Sequence, residues 1–278
     1  MENMKTLTFL GIFLVGWSFL GWSLSRVLRR NDLADILWGL GPICIAALGL
    51  CFSGPLRIAQ QNGTVLVCTV LWGTRLALHL WLRMKGKPED RRYAGWRKKW
   101  GTKKEPLRAY FQVFFLQTVL LVFVSFPQIL TFWIAPELDW EFSRDPELSV
   151  LEFMGVGIFA CGWIYETIAD WQLQQFKKNP QNQGKTLSQG LWAYSRHPNY
   201  FGEVVLWWGM GLMVLGTPWG WLSFVLSSGL VSFLILRVSG VPMLERTLAS
   251  DQSARKESYQ TYLTQTSRFL PRFRSKVQ

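Results

Sequence analysis

Seven long apolar runs, separated by short polar or charged stretches, divide this chain. They are Leu7–Leu24, Leu33–Phe52, Val65–Arg83, Tyr110–Ile134, Val150–Trp171, Phe201–Gly216 and Trp219–Val238. About 20 apolar residues wound as a helix cross the roughly 30 Å of a bilayer's hydrocarbon. No stretch shows the alternation of a half-buried strand. The pattern predicts an all-α, polytopic membrane protein of about seven transmembrane helices. The sixth and seventh are joined by a short Thr-Pro turn at Thr217 and Pro218. A soluble helical protein has no need of runs this long and this many. Residues 1–278 read as a single integral membrane domain, with 239–278 as a cytoplasmic tail packed on it. The first run has little positive charge before it and no small-residue cleavage site, so it is expected to be a retained helix and not a signal peptide.

Charge adds orientation to this picture. The 30 Lys and Arg outnumber the 18 Asp and Glu, for a net charge of +12. Arg26, Arg29 and Arg30 follow the first run. Lys85, Lys87, Arg91, Arg92, Arg97, Lys98, Lys99, Lys103 and Lys104 crowd the stretch from Arg83 to Arg108. Lys177, Lys178, Lys185 and Arg196 follow the fifth, and the tail holds Arg246, Arg255, Lys256, Arg268, Arg272, Arg274 and Lys276. The loop Pro136–Glu147 is acidic instead. Lys and Arg collect on cytoplasmic loops, so the N-terminus is expected outside and the C-terminus inside. The excess charge is then topological, with no call for nucleic acid as a partner. Some of it suits anionic lipid head groups. Cys44, Cys51, Cys68 and Cys161 all lie in apolar runs, without C-x-x-C pairing or His companions, so neither a disulfide nor a metal site is expected.

The chemistry concentrates in Gly190–Gly202, GLWAYSRHPNYFG, followed at once by Glu203. Pro198 disfavours helix at His197 and suits the first turn of the helix after it. Tyr194, Arg196, His197, Asn199, Tyr200 and Glu203 thus sit at a backbone break on the expected cytoplasmic face. Glu166 and Asp170, four apart, share a helix face near the end of the fifth run. They either salt-bridge the basic loops or accept hydrogen bonds from an amide or ribose hydroxyl. Asn31 and Asp32 are placed to cap the second helix. Asp35 is either a first-turn acid favoured by the macrodipole or a site-lining carboxyl that burial keeps neutral. Arg75, inside the third run, needs a partner: Asp35, Glu203 or a ligand. No G-x-G-x-x-G follows a strand, so any nucleotide binds between helices.

Gln189–Glu203 resembles the signature of the steroid 5-alpha-reductase family and its bacterial membrane relatives. The likeness extends to Asp35-x-x-Trp38-Gly39, Leu71-Trp72-Gly73-x-Arg75-Leu76, Gly86-Lys87-Pro88, the Glu166–Asp170 pair and Gly240-Val241-Pro242-x-Leu244-Glu245 with Tyr259 and Tyr262. The resemblance implies a monomeric seven-helix enzyme in a bacterial inner membrane. It would hold NADPH on its cytosolic side and reduce an enone-type carbon–carbon double bond of a steroid-like or other lipophilic substrate. By position, Glu166 and Asp170 fall at the cofactor's adenosine portion, with Glu166 where the family has Asn. Lys87 and Lys177 fall where the family's arginines meet phosphates. Asn199, Gly202 and Glu203 match the segment against the nicotinamide half, and Tyr194, Arg196, His197 and Tyr200 belong to the same cofactor-binding stretch. Asp35, Trp72 and Glu203 are the catalytic candidates. Asp35 falls near the acid that engages the substrate carbonyl, and Trp72 where steroid reductases place a catalytic Tyr. An indole donates a hydrogen bond but delivers no proton as a phenol does.

The R-H-P-x-Y-x-G core, Arg196–Gly202, also resembles membrane methyltransferases of the isoprenylcysteine type. There His197 and Glu245 would serve S-adenosylmethionine. That cofactor is cationic and lacks phosphate, so it gains nothing from the basic loops. A lipid-binding membrane protein without catalysis is a third reading, with no use for the Tyr194–Glu203 cluster.

Overall fold

The computed structural model describes residues 2–53, 63–135, 146–249 and 255–272, and every regular element among them is helical. Most of the acidic loop used above to orient the chain, residues 136–145, lies outside the described residues, as do Arg274 and Lys276. Six helical stretches are long and apolar enough to cross a membrane: Thr6–Leu28, Leu33–Phe52, Gly63–Met84, Arg91–Val124, Val150–Lys178 and Gly220–Arg246. The expected sixth span is the exception. Its helix, Pro198–Met213, has 16 residues, or about 24 Å at 1.5 Å each. The chain turns just after it, where Thr217 N–H bonds Val214 O at 3.0 Å and Trp219 takes a left-handed φ of 66°.

The chain divides into two compact units. The first comprises residues 1–149 and 214–227. Its helices are α1 (Glu2–Leu28), α2 (Leu33–Ser53), α3 (Gly63–Met84), α4 (Arg91–Ala109) and α5 (Leu116–Val124), with a π-helical turn at Tyr110–Phe115 joining the last two. Helices α2 and α3 approach backbone to backbone at Gly39 and Gly73. A Cβ on Gly39 would lie 2.8 Å from Gly73 O. Between apolar helices, such small-residue contacts supply the packing that water cannot drive. Trp133 Nε1 ties a later helical turn to α2 by donating to Ile45 O at 2.8 Å.

The density of charge from Arg83 to Arg108 predicts a loop, but residues 91–109 form α4. Tyr93, Trp100 and, between them, Arg97 recur at helical spacing on one face. The Asp90 carboxylate caps the start by accepting Arg92 N–H at 2.9 Å. Gly101, at φ 68° and ψ 161°, breaks the helix, a conformation that a side chain would resist.

The second unit comprises residues 150–213 and 228–278, with α6 (Pro146–Lys178), α7 (Pro198–Met213), α8 (Val241–Ala249) and α9 (Arg255–Gln265). Gly155 and Gly162 of α6 meet Gly209 and Gly202 of α7, each pair seven residues apart on its helix. A Cβ on Gly202 would stand 2.6 Å from Glu166 N and 2.8 Å from Gly162 O. The two helices therefore lie in backbone contact along this seam.

Candidate functional site

In the first unit, α2 and α4 bring an acid, a phenol and a guanidinium together. The Tyr93 hydroxyl donates to Asp35 Oδ1 at 2.5 Å. Arg92 donates from its guanidinium to Asp35 Oδ2 at 2.9 Å. Gln117 Nε2 donates to the Tyr93 oxygen at 3.3 Å. Tyr93 is 2% exposed. Asp35 thus has a phenol on one carboxyl oxygen and a guanidinium on the other. Gln117 also lines a small cavity with Trp17, Trp38, Leu37 and Phe114. Its volume of about 20 Å³ admits one water and no larger ligand.

Asn31 and Asp32 do more than begin α2. Asp32 accepts both Arg30 Nε at 3.0 Å and Asp90 N–H at 2.9 Å. Asn31 receives Arg26 and donates to Glu105 Oε1 at 3.1 Å. Arg97 joins the same network through Glu89 at 3.0 Å and Glu105 at 3.2 Å. The capping role expected for these side chains is replaced by ties between α1, α2 and α4. Burial alone would raise the Asp90 carboxyl, but hydrogen bonds from Arg92 outweigh it and hold it below the usual range. Lys87 is exposed, and Trp72 is fully buried.

In the second unit, the segment before α7 is held from two sides. Gly190 takes a φ of 61°, and a Cβ there would clash with the Gln172 side chain. Leu191 N–H donates to Gln172 Oε1 at 3.0 Å, and Trp192 Nε1 donates to Ala169 O at 3.0 Å, both on α6. From the other side comes the tail. The Tyr262 hydroxyl donates to Trp192 O at 2.6 Å, Arg196 N–H to Ser267 O at 2.9 Å, and Arg272 N–H to Tyr194 O at 3.0 Å. Ser195 Oγ donates to Phe269 O at 2.7 Å and accepts His197 N–H at 3.1 Å.

Helical spacing then places the polar residues. Asn199, Gly202 and Glu203 share a face of α7, and Glu166 and Asp170 a face of α6. Asn199 Nδ2 donates to Asp170 Oδ1 at 3.1 Å. Glu166 is buried, and Glu203 is half-buried. Gly202 meets the α6 backbone, so its missing side chain serves helix packing. Lys177 and Tyr194 are exposed.

His197 is 2% exposed, its ring stacked on Tyr200 at 5.6 Å and 9°. Burial pushes its imidazole down to about 4, with Glu245 pulling the other way, so the ring is neutral at pH 7. Its Nε2 stands 3.4 Å from Glu245 Oε1. Glu245 also takes Arg196 at 2.8 Å and Arg268 at 3.0 Å. Two buried nitrogens of this group, His197 Nδ1 and Arg196 Nε, have no hydrogen-bond partner among the described residues.

The sequence pattern of the family described as "Protein of unknown function (DUF1295)" matches residues 21–266. The chain belongs to that family. The DUF1295 region contains every candidate named from the sequence and stops one residue before Ser267, where the clamp's last bonds begin. A 58-residue stretch is 41% identical to a protein of Ustilaginoidea virens named probable O-methyltransferase ustE. That stretch is 21% of this chain and 20% of the other, so the chain spans about a fifth of that relative. No solved structure matches the chain.

Sequence reasoning missed Tyr93 and Arg92 as partners of Asp35. Only the spacing of Tyr93, Trp96 and Trp100 hinted that the basic stretch is a helix with an inner face. It also missed Gln172 and Ser195, whose roles depend on where α6 and the tail lie.

Proposed function

We propose that this protein is a membrane reductase. It takes a hydride from NADPH and reduces an enone-type carbon–carbon double bond of a lipophilic substrate, as its resemblance to the steroid 5-alpha-reductase family implies. The observation that carries the reading is the Tyr93–Asp35 pair. Hydride addition to a conjugated double bond leaves negative charge on the carbonyl oxygen, and a proton must follow. Trp72 has none to give, whereas the Tyr93 phenol does. Arg92 and Tyr93 both bond Asp35, which orients the phenol. A methyltransferase needs no such donor.

The residues of the second unit fit the cofactor by their chemistry. Glu166 and Asp170 offer carboxylates to ribose hydroxyls or the adenine amine, and Asn199 offers an amide. The exposed cations Lys177, Lys178 and Lys185 suit phosphates. His197 Nδ1, an acceptor when the neutral ring donates through Nε2, suits an N–H such as that of a carboxamide. NADPH, when bound, supplies the hydride; the second unit's part is to orient it and exclude water.

The test is binding of NADPH, NADP and S-adenosylmethionine to the purified protein in mild detergent, followed by an enone screen. The expected outcome is NADPH binding without S-adenosylmethionine binding, with enone-dependent NADPH oxidation. Tyr93→Phe should leave NADPH affinity unchanged and cut turnover by about 10²-fold or more. S-adenosylmethionine binding without NADPH binding would overturn the reading.

That converse result is the second reading, a methyltransferase. It draws on the partial likeness to the protein named probable O-methyltransferase ustE and on the His197–Glu245 contact at 3.4 Å. There Glu245 would offer its negative charge to a cationic cofactor.

A further inference from the structure

Helix α4 sorts its cations into two sets. Arg92 is engaged by Asp35 and Asp90, and Arg97 by Glu89 and Glu105. Arg91, Lys98, Lys99, Lys103 and Lys104 are exposed and have no ion or hydrogen-bond partner among the described residues. The division follows helix geometry. Tyr93, Arg97 and Trp100 lie on the inner face, while Arg91, Lys98 and Lys99 point away from it. Trp96 sits at the margin, 38% exposed and stacked on Trp100 at 6.1 Å. Leu107 is 65% exposed.

The break at Gly101 decides what this face meets. Residues 91–100 form one helical piece, while 102–109 belong to a second that runs on into the apolar stretch through Val124. The five unpaired cations therefore gather at the end of a membrane-spanning element, where head groups lie. So many like charges close together repel one another, and an anionic layer relieves that repulsion. Trp96 and Leu107 beside them are apolar groups suited to the same layer, which a free phosphate would leave in water.

We propose that the outer face of α4, formed by Arg91, Lys98, Lys99, Lys103 and Lys104 with Trp96 on its flank, docks anionic phospholipid head groups. This surface is separate from the reductase reading and stands whether or not NADPH binds. The test uses the purified full chain in mild detergent. Retention of phosphatidylglycerol is compared with that of phosphatidylcholine by native mass spectrometry, alongside the thermal midpoint with each lipid. The wild type should retain phosphatidylglycerol at least about tenfold better. Its midpoint should rise with that lipid alone. The K98Q/K99Q/K103Q/K104Q variant should lose the preference, and the matching fourfold Lys→Arg variant should keep it. If the glutamine variant fails to insert, salt on the wild type replaces it. At about 1 M salt, where screening acts within roughly 3 Å, the preference should disappear. Equal retention of the two lipids by the wild type would overturn the proposal. So would a preference that survives both the glutamine variant and salt, or inorganic phosphate reproducing the lipid's stabilisation.

Discussion

At the scale of single residues, His197 makes the firmest statement about pH. Its folded value of about 4 lies below the ordinary 6.5, so the unfolded chain takes up the proton first. Stability from this group is complete above about pH 6.5 and is lost as the pH falls toward 4, with a total of ~3 kcal/mol. The thermal midpoint in detergent should fall across that window, and His197→Gln should flatten the fall. Asp170 gives a second prediction: Asp170→Ala should weaken NADPH binding about tenfold, the loss of roughly one charge-assisted hydrogen bond. The thermal midpoint should move little, since Asn199 loses one half-exposed partner. Asp35→Asn should keep NADPH binding but abolish turnover, because the amide no longer forms the ion pair with Arg92 that helps to place the Tyr93 phenol. Most of these residues were legible in the sequence, being polar groups crowded at a backbone break or inside apolar runs. Tyr93 was not, because a tyrosine among arginines carries no mark of a carboxylate that lies far away along the chain.

At the scale of elements, the seam between α6 and α7 sets the constraint. Gly202→Ala places a methyl group 2.6 Å from Glu166 N, on backbone that cannot yield cheaply. We expect a loss of ~1–3 kcal/mol, the usual cost of overpacking, read as a lower thermal midpoint. Gly157→Ala on α6, with nothing within 4 Å, should leave the midpoint unchanged and serves as the comparison. The apolar helices could be read from run length alone, because hydrocarbon thickness fixes their size. Two departures have physical causes. The sixth run yields a helix of only 16 residues, which stops at Met213 ahead of the expected Thr-Pro turn. The basic stretch at 91–109 folds because three inward side chains recur at helical spacing, a signal that its density of charge concealed.

At the scale of the whole molecule, the cation distribution predicts an orientation. A cysteine replacing Lys185 should react with a membrane-impermeant thiol reagent only when the cytoplasmic side is exposed, read against a background in which Cys51 and Cys161 are replaced. Labelling from outside would reverse the topology and move the site to the other face. The division into two compact units was not legible, because residues 214–227 return to the first unit across a run that reads as one continuous span. The clamp on residues 190–197 has a temporal consequence. Its bonds at Arg196 and Tyr194 come from Ser267 and Arg272, far downstream. During synthesis the helices can enter the bilayer as they emerge, but the segment before α7 has no fixed shape until those later residues have been made. A message broken between the two would yield a protein that inserts, survives extraction and binds nothing, so membrane insertion is no measure of a finished site.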